Sequence, residues 1–346
     1  MSIDTSPTYD FSGVLIKPKY DNEFNISSRS QVNLERTFNF KNIPWTGVPI
    51  IAANMDTTGT FDVYNVLSKH KILTALHKFY TLSDFKKFKE INILDPEYFM
   101  VSTGITYENY KNLVEILDNI DCKWICIDIA NGYIKSFRNF CRKVRDKYPD
   151  KIIVAGNVVT PEIVYDLIMD CGVDVVKLGI GPGSACTTRI KTGVGVPQLS
   201  AILDCREAAK KAGGYIISDG GITCPGDMSK AFGAGADFVM MGGQFAGHDE
   251  NPGEIVEENG KKYKLFYGMS SEFAMVKHFG KMNNYRSSEG RCIKIPYKGA
   301  LETTVNDYLG GVRSTCTYIG CNKLEDMREN TNFIVVPNQA NHVFVK

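Results

Sequence analysis

"KIIVAGNVVTPEIVYDLIMDCGVDVVKLGIG", residues 151–181, holds two near-continuous apolar runs around one amphipathic stretch. KIIVAGNVV (151–159) and VVKLGIG (175–181) are rich in β-branched residues and end in polar or glycine-containing turns, as strands covered on both faces do. Between them PEIVYDLIMDCG (161–172) spaces its apolar residues helically, and Pro161 after Thr160 is a helix-start signal. The unit is strand, helix, strand. It recurs outward in both directions: VPIIAANM (48–55), ILTALHK (72–78), YFMVSTG (98–104), WICIDIANG (124–132), YIISDGG (215–221) and DFVMMGG (237–243) complete eight strands. YENYKNLVEILDNI (107–120) and YIKSFRNFCRKVRDKY (133–148) supply further helices. Eight such units close into a (β/α)8 TIM barrel more naturally than they form an open sheet. An open dinucleotide-binding sheet would carry G-x-G-x-x-G; residues 179–183 read G-x-G-x-G, with no glycine at the sixth position and no acidic residue in frame. The expected fold class is α/β, a barrel.

The composition of the 346 residues, 43% hydrophobic and 23% charged, is that of a chain able to bury a large core. Net charge is +1 with Lys and Arg scattered, which gives no electrostatic reason to expect nucleic acid or an anionic membrane as partner. No apolar run approaches a membrane span, and MSIDTSPTYDFSG lacks the basic start and apolar core of a secretory signal, so a cytoplasmic protein is expected. The ten cysteines make no Cys-x-x-Cys or Cys/His zinc spacing and are expected to be mostly packing residues in a reducing compartment.

A single catalytic barrel domain is expected over 1–346, with an N-terminal segment (1–46) and no regulatory insertion. After the eighth strand an inserted segment runs over about 247–300. Within it EIVEENGKKYKLFYGMSSE (254–272) predicts a hairpin turning at Asn259-Gly260, followed by a stretch of little periodicity. Such a segment, placed before the last helix, ETTVNDYLGGVRSTCTYIG (302–320), lies at a barrel's catalytic face, where long loops form lids or binding elements. NTNFIVVPNQANHVFVK (330–346) is compatible with docking on the barrel or on a neighbouring subunit.

Function in a barrel gathers at the carboxyl ends of the strands. Asp219-Gly220-Gly221 and Gly242-Gly243 end the seventh and eighth strands, the usual phosphate site. These glycines would serve as tight turns too, but two pairs at the two expected strands favour a phosphate. Asp219 would be misplaced beside a phosphate unless it meets a ribose hydroxyl, which suggests a nucleoside monophosphate. After the sixth strand comes GIGPGSACTTRIKTG (179–193), where Cys186 lies on a glycine-turned loop with Thr188 two residues on. A thiolate there suits attack on a soft electrophilic carbon such as C2 of a purine, and Thr188 could relay a proton.

These stretches also carry a resemblance. GPGSACTTR (181–189), KTGVGVPQLSA (191–201), AANMDTTGTF (52–61), DIANGY (128–133), AGNVVT (155–160), SDGG (218–221), ADFVMMGGQFAGH (236–248), FYGMSSE (266–272) and YRSSEGR (285–291) resemble the GMP reductases of the IMP dehydrogenase/GMP reductase family. The match runs from GVLIKPK (13–19) to GGVRSTCTYIG (310–320). IMP dehydrogenases usually carry paired regulatory modules after the second strand, where this chain has about 20 residues, and an Arg-Tyr flap that finds no counterpart here.

The resemblance implies NADPH-dependent reductive deamination of GMP to IMP and ammonia, a purine-salvage reaction, in a homotetramer. It makes Cys186 the nucleophile on C2 and gives Thr188 and Glu289 the proton transfer. It puts the nucleotide among Ser184, Asp219, Gly220, Gly221, Gly242 and Gly243, with Gly268, Met269 and Ser270 and with Arg286, Ser287, Ser288 and Gly290. It places NADPH near Ser28, Arg29 and Lys78, near Asp128, Ile129, Ala130, Ile180 and Gly181, and near Tyr285, Ser314, Thr315, Cys316 and Thr317. A monovalent cation, K+, is implied at Gly181, Gly183 and Cys186, with Arg189 nearby. The chain departs from the family at Gly13, often Asp, at Phe79, where His commonly follows the Lys, and at Ala185, usually a larger aliphatic. None of these removes a catalytic group; Phe79 adjoins Lys78 and bears on the cofactor. The alternatives are IMP dehydrogenase chemistry, a non-catalytic nucleotide-binding barrel and, more distantly, a flavin enzyme.

Overall fold

The computed structural model describes residues 3–20, 26, 28–280 and 288–337. Its centre is a closed ring of eight parallel strands: β1 (Ile43–Ala52), β2 (Ile72–Leu76), β3 (Phe99–Thr103), β4 (Trp124–Asp128), β5 (Ile152–Val158), β6 (Val175–Leu178), β7 (Tyr215–Asp219) and β8 (Phe238–Met241). Closure is made by β8 against β1, with Val239 opposite Ile50 and Met241 opposite Ala52. All eight expected strands are present, and the expected helices form over Tyr107–Leu117, Lys135–Lys147, Pro161–Met169 and Leu301–Ile319.

The strands read as apolar throughout because their two faces enter different cores. From β4, Ile125 and Ile127 pack outward against the helices, in one cluster with Phe137 and Val144. Trp124 and Cys126 point inward, in a second cluster with Ile152, Val154, Val175, Ile217 and Phe238. This is the two-residue alternation of a strand with apolar surroundings on both sides.

The interior is stoppered at the amino ends of the strands. Within the N-terminal segment a strand over Arg36–Phe40 runs antiparallel to the start of β1, a hairpin that sequence patterning did not reveal. It delivers Phe38, Phe40 and Trp45 beneath the barrel, where Trp45 meets Trp124 edge to face at 5.5 Å and Phe38 stacks on Phe238 at 4.5 Å. The Trp45 indole N–H donates to Glu97 O at 2.8 Å, so its polar atom is satisfied at the closed end. Only the carboxyl ends remain open.

The inserted segment forms the expected hairpin, Val256–Glu258 with Lys261–Tyr267. Asn259 (φ 51°) and Gly260 (φ 72°) both take the left-handed conformation that a two-residue type I′ turn requires. A third strand, Cys292–Pro296, pairs with the hairpin, and a helix over Glu272–Phe279 precedes it. Near the C-terminus Phe333–Val335 pairs antiparallel with Val14–Ile16, so this part of the closing segment docks on the same chain. No helix among the described residues is long and apolar enough to cross a membrane.

Candidate active site

A cavity of about 300 Å³ opens at the carboxyl ends of the strands. Cys186, Thr188 and Glu289 line it together, although Glu289 is 101 residues from Thr188 in sequence. The Cys186 Sγ lies 3.2 Å from Thr188 Oγ1, and that hydroxyl donates to Glu289 Oε2 at 2.9 Å. Sulfur, hydroxyl and carboxylate form one unbroken chain along which a proton can move.

Backbone pairing across the two loops fixes this chain. Cys186 bridges Gly290, Thr187 N donates to Glu289 O at 2.9 Å, and Arg291 N donates to Ala185 O at 3.0 Å. The Arg291 guanidinium adds two bonds to Ser184 O, and Ser288 Oγ donates to Gly290 O at 2.8 Å. Gly290 is required where it stands: a Cβ would lie 2.8 Å from Ser271 N and 3.3 Å from Gly268 Cα.

The predicted nucleotide residues converge here. Ser184, Asp219, Gly220, Gly221, Gly242, Gly243, Gly268, Met269 and Ser270 all line the cavity. Gly220 and Gly221 have φ of 91° and 80°, so residues with side chains would be strained in this turn. Ser288 and Gly290 do not line it; they flank Glu289 and brace the loop that carries it. Arg286, Ser287 and Tyr285 lie outside the described residues.

The predicted cofactor residues fall into two groups. Asp128, Ile129, Ala130, Ile180 and Gly181 line the cavity. Lys78 stands at the end of β2, where its charge acts on Asp128. Ser28 and Arg29 do not line the cavity; they begin a short 3-10 turn that packs against the helix Leu301–Ile319. On that helix Ser314, Thr315, Cys316 and Thr317 also lie away from the cavity, and Cys316 is fully buried.

The loop expected to take a cation turns tightly at its glycines, with Gly181 at φ 83°. Arg189 braces it, its guanidinium donating to Ile180 O, Val196 O and Asp10 Oδ2. The remaining donors are carbonyl oxygens, hard ligands suited to an alkali cation. No cluster of His, Cys, Asp and Glu that could hold a metal occurs among the described residues.

Sequence reasoning missed Lys177 and Asn157, both of which line the cavity. Lys177 Nζ sits 2.7 Å from Asp128 Oδ1 and 2.8 Å from Asp219 Oδ2. Asn157 Nδ2 donates to Asp219 Oδ2 at 2.9 Å and to Gly179 O at 2.8 Å, while its buried Oδ1 has no partner among the described residues. The signal for Lys177 was present as one cation inside the apolar run VVKLGIG.

A second network fastens the inserted segment. Buried Asp56 accepts from Tyr267 Oη at 2.9 Å and Lys277 Nζ at 2.9 Å, and pairs with His278 Nε2 at 2.6 Å. Burial pushes its carboxyl pKa up, but these hydrogen bonds and the Lys277 charge outweigh it and hold it below the usual value. Phe79, one of the departures noted above, stacks flat on His278 with centroids 3.6 Å apart.

A thiol, a hydroxyl and a carboxylate in line beside a glycine-floored cavity on one barrel face agree with what comparison with known proteins finds. Residues 8–342 match the IMP dehydrogenase / GMP reductase domain. The chain belongs to that family. It is 52% identical over 345 residues to GMP reductase 1 of Mus musculus, covering 99% of both chains. GMP reductase 2 of Homo sapiens is also 52% identical, over 99% of this chain and 98% of its own. GMP reductase of Yersinia pestis (strain Pestoides F) is 51% identical over 351 residues, covering 99% of each. For this member of the IMP dehydrogenase/GMP reductase family, the stretch between β2 and β3 holds one helix, Leu82–Ile91.

Proposed function

We propose that the chain is an NADPH-dependent GMP reductase, converting GMP to IMP and ammonia through covalent attack by Cys186. The observation that carries the reading is the Cys186–Thr188–Glu289 chain, set in the cavity lined by Gly220, Gly221, Gly242 and Gly243. Its relatives at about 50% identity over nearly the whole chain are named for this activity.

In this reading the glycine turns and Ser184 take the phosphate, and Asp219 takes the ribose hydroxyls. Cys186 loses its proton toward Thr188 and Glu289 and adds to C2 of the purine. The amino group on C2 is a poor leaving group until protonated, and the same hydroxyl and carboxyl return the proton, so that ammonia departs. A covalent thioimidate remains on Cys186, and one hard substitution has become two easier steps. The reduced nicotinamide, when bound, supplies the hydride that C2 needs. Asp128, Ile129 and Ala130 would hold it on the sulfur's side of the cavity, and Asn157 Oδ1, without a partner among the described residues, offers an acceptor to a carboxamide. Once C2 is reduced, Cys186 leaves as thiolate and IMP is released. A bound K+ would stiffen the loop through the carbonyl oxygens of Gly181, Gly183 and Cys186.

The cavity suits one mononucleotide, so a dinucleotide cofactor would extend beyond it. The separation of Ser28, Arg29, Ser314, Thr315 and Thr317 from the cavity supports a homotetramer in which these residues serve a neighbouring protomer's cofactor, while fully buried Cys316 packs inside its own helix layer. Ten free thiols support a reducing, cytoplasmic setting.

The deciding assay follows loss of reduced-nicotinamide absorbance with GMP and NADPH, wild type against Cys186→Ala. Oxidation with IMP and ammonia formed, abolished in the variant, is the expected result. Reduction of NAD+ in the presence of IMP instead would assign the dehydrogenase reaction. Tight GMP binding with neither activity would leave a binding-only barrel.

A further inference from the structure

The inward positions of β4, β6 and β7 become polar at one level of the barrel. Below that level they carry Cys126, Val175 and Ile217; at it they carry Asp128, Lys177 and Asp219. Lys177, with its side chain 2% exposed, is held between carboxylates from two other strands. It reaches Asp128 across β5, where strand pairing sets Asp128 opposite Gly156 and Gly156 opposite Lys177. Gly156 leaves the lane open, since a Cβ there would lie 2.5 Å from Lys177 O and 2.6 Å from Lys177 Cβ. A lysine this deep is stable as a cation only when paired, and a second carboxylate exceeds what pairing requires.

We infer that Lys177 is a positioning residue that ties the substrate side of the cavity to its cofactor side, orienting both Asp219 and Asp128. The inference rests on the GMP reductase reading for the roles of the two carboxylates, but its electrostatic part does not. Burial pulls the Lys177 pKa down, yet the charges of Asp128 and Asp219 outweigh it and raise it above the ordinary lysine value. Burial pushes Asp128 up, and the Lys177 charge and hydrogen bond, with Asn54 and Lys78, bring it below the ordinary carboxylate value. The other titratable group facing Lys177 is the Cys126 thiol, pushed up to about 12 by burial and therefore neutral. Lys177 also lies 3.9 Å from Met240 Sδ, which adds no charge. Without the cation, the two carboxylates on either side of its position would repel each other, which favours a proton on one of them.

The test compares Lys177→Met, of similar length and uncharged, with wild type and with Lys177→Met/Asp128→Asn. Three quantities are read: GMP affinity by calorimetry, the kinetic constants for GMP and NADPH, and thermal stability from pH 5 to 8. In Lys177→Met, GMP affinity and the cofactor KM should each worsen by about 10- to 100-fold, the scale of losing a hydrogen bond to a charged group. The single variants Asp219→Asn and Asp128→Asn should move the first and the second separately. A carboxyl whose folded pKa is raised makes stability fall as pH rises, so Lys177→Met should lose melting temperature from pH 5 to 8. Wild type, whose Asp128 pKa is lowered, and the double variant, with one carboxylate left, should show no such fall.

If Lys177→Met keeps wild-type affinity, cofactor KM and pH profile, Lys177 only fills space and the inference is overturned. Should Lys177→Met fail to fold, rescue by the added Asp128→Asn supports the electrostatic tie, and failure of the double variant overturns it. A wild type that does not oxidise NADPH with GMP would defeat the proposed function, while the pH comparison would still decide the role of Lys177.

Discussion

Thr188→Val tests the proton path most directly. Both side chains are β-branched and nearly equal in shape, so the helix that Thr188 begins (Thr188–Thr192) keeps its backbone and only the hydroxyl is lost. That hydroxyl stands 3.2 Å from the Cys186 sulfur and 2.9 Å from Glu289 Oε2, and it joins the two. Without it the chain from sulfur to carboxylate is broken among the described residues. Positioned proton transfer contributes about 10²- to 10⁴-fold, so kcat should fall by about that factor. This corresponds to about 3 to 5 kcal/mol of barrier. The KM for GMP should stay within about threefold, since the deleted group stabilises transfer rather than ground-state binding. Thr188→Ser restores the hydroxyl and should recover activity to within about tenfold of wild type. The assay is steady-state NADPH oxidation with GMP, alongside mass spectrometry of the Cys186 adduct after rapid quench. A Thr188→Val enzyme that keeps more than about a third of wild-type kcat, or changes KM alone, would refute the relay.

Three further outcomes follow from packing and charge. Gly290→Ala puts a methyl 2.8 Å from Ser271 N, so the loop must shift and carry Glu289 with it; kcat should drop about 10- to 100-fold with circular dichroism unchanged. Asp56→Asn removes the charge that Lys277, His278 and Tyr267 share. Hydrogen exchange over the helix Glu272–Phe279 should speed up, with the GMP KM rising. In wild type the lowered Asp56 pKa makes that anchoring complete above the unfolded carboxylate value of about 4 and lost as pH falls through the folded one; the Asn variant should lack this acid-side loss. Trp45→Ala opens the plug at the far end of the barrel and should cost about 3–5 kcal/mol by urea unfolding. Its kcat at low temperature should remain near wild type, because the cavity is at the other end.

How much was legible depended on how local the signal is. All eight barrel strands are visible in sequence because both faces of each are largely buried and the runs are near-continuously apolar. The hairpin over 256–267 is visible because Asn259-Gly260 encodes its own turn. The strand Cys292–Pro296 is not: its burial alternates only between partly buried and exposed, and its partner lies about 30 residues upstream. The strand Arg36–Phe40 escaped for a related reason, since its aromatics become core only once a barrel exists for them to close. Cys186 and Thr188 stand out on a local glycine loop, whereas Glu289 was reachable only through the resemblance, because a Glu in a polar loop looks like solvated surface.

The sequence by itself determined the repeating strand–helix unit, the end of the barrel where the cavity opens, and the cysteine and glycine turns that line it. These are set by short-range patterns: periodicity, turn residues and glycines that alone tolerate positive φ. The tertiary structure decided which groups meet. Glu289 reaches Thr188 only because the inserted segment folds back and pairs with the cysteine loop. Lys177 finds Asp128 and Asp219 only because barrel closure puts three inward positions at one level, with Gly156 leaving the space between. Ser28, Arg29 and Ser314–Thr317 sit away from the cavity because the last helix runs down the outside of the barrel. Contacts between residues far apart in the chain are fixed by the closure and register of the whole ring, and no local pattern encodes them.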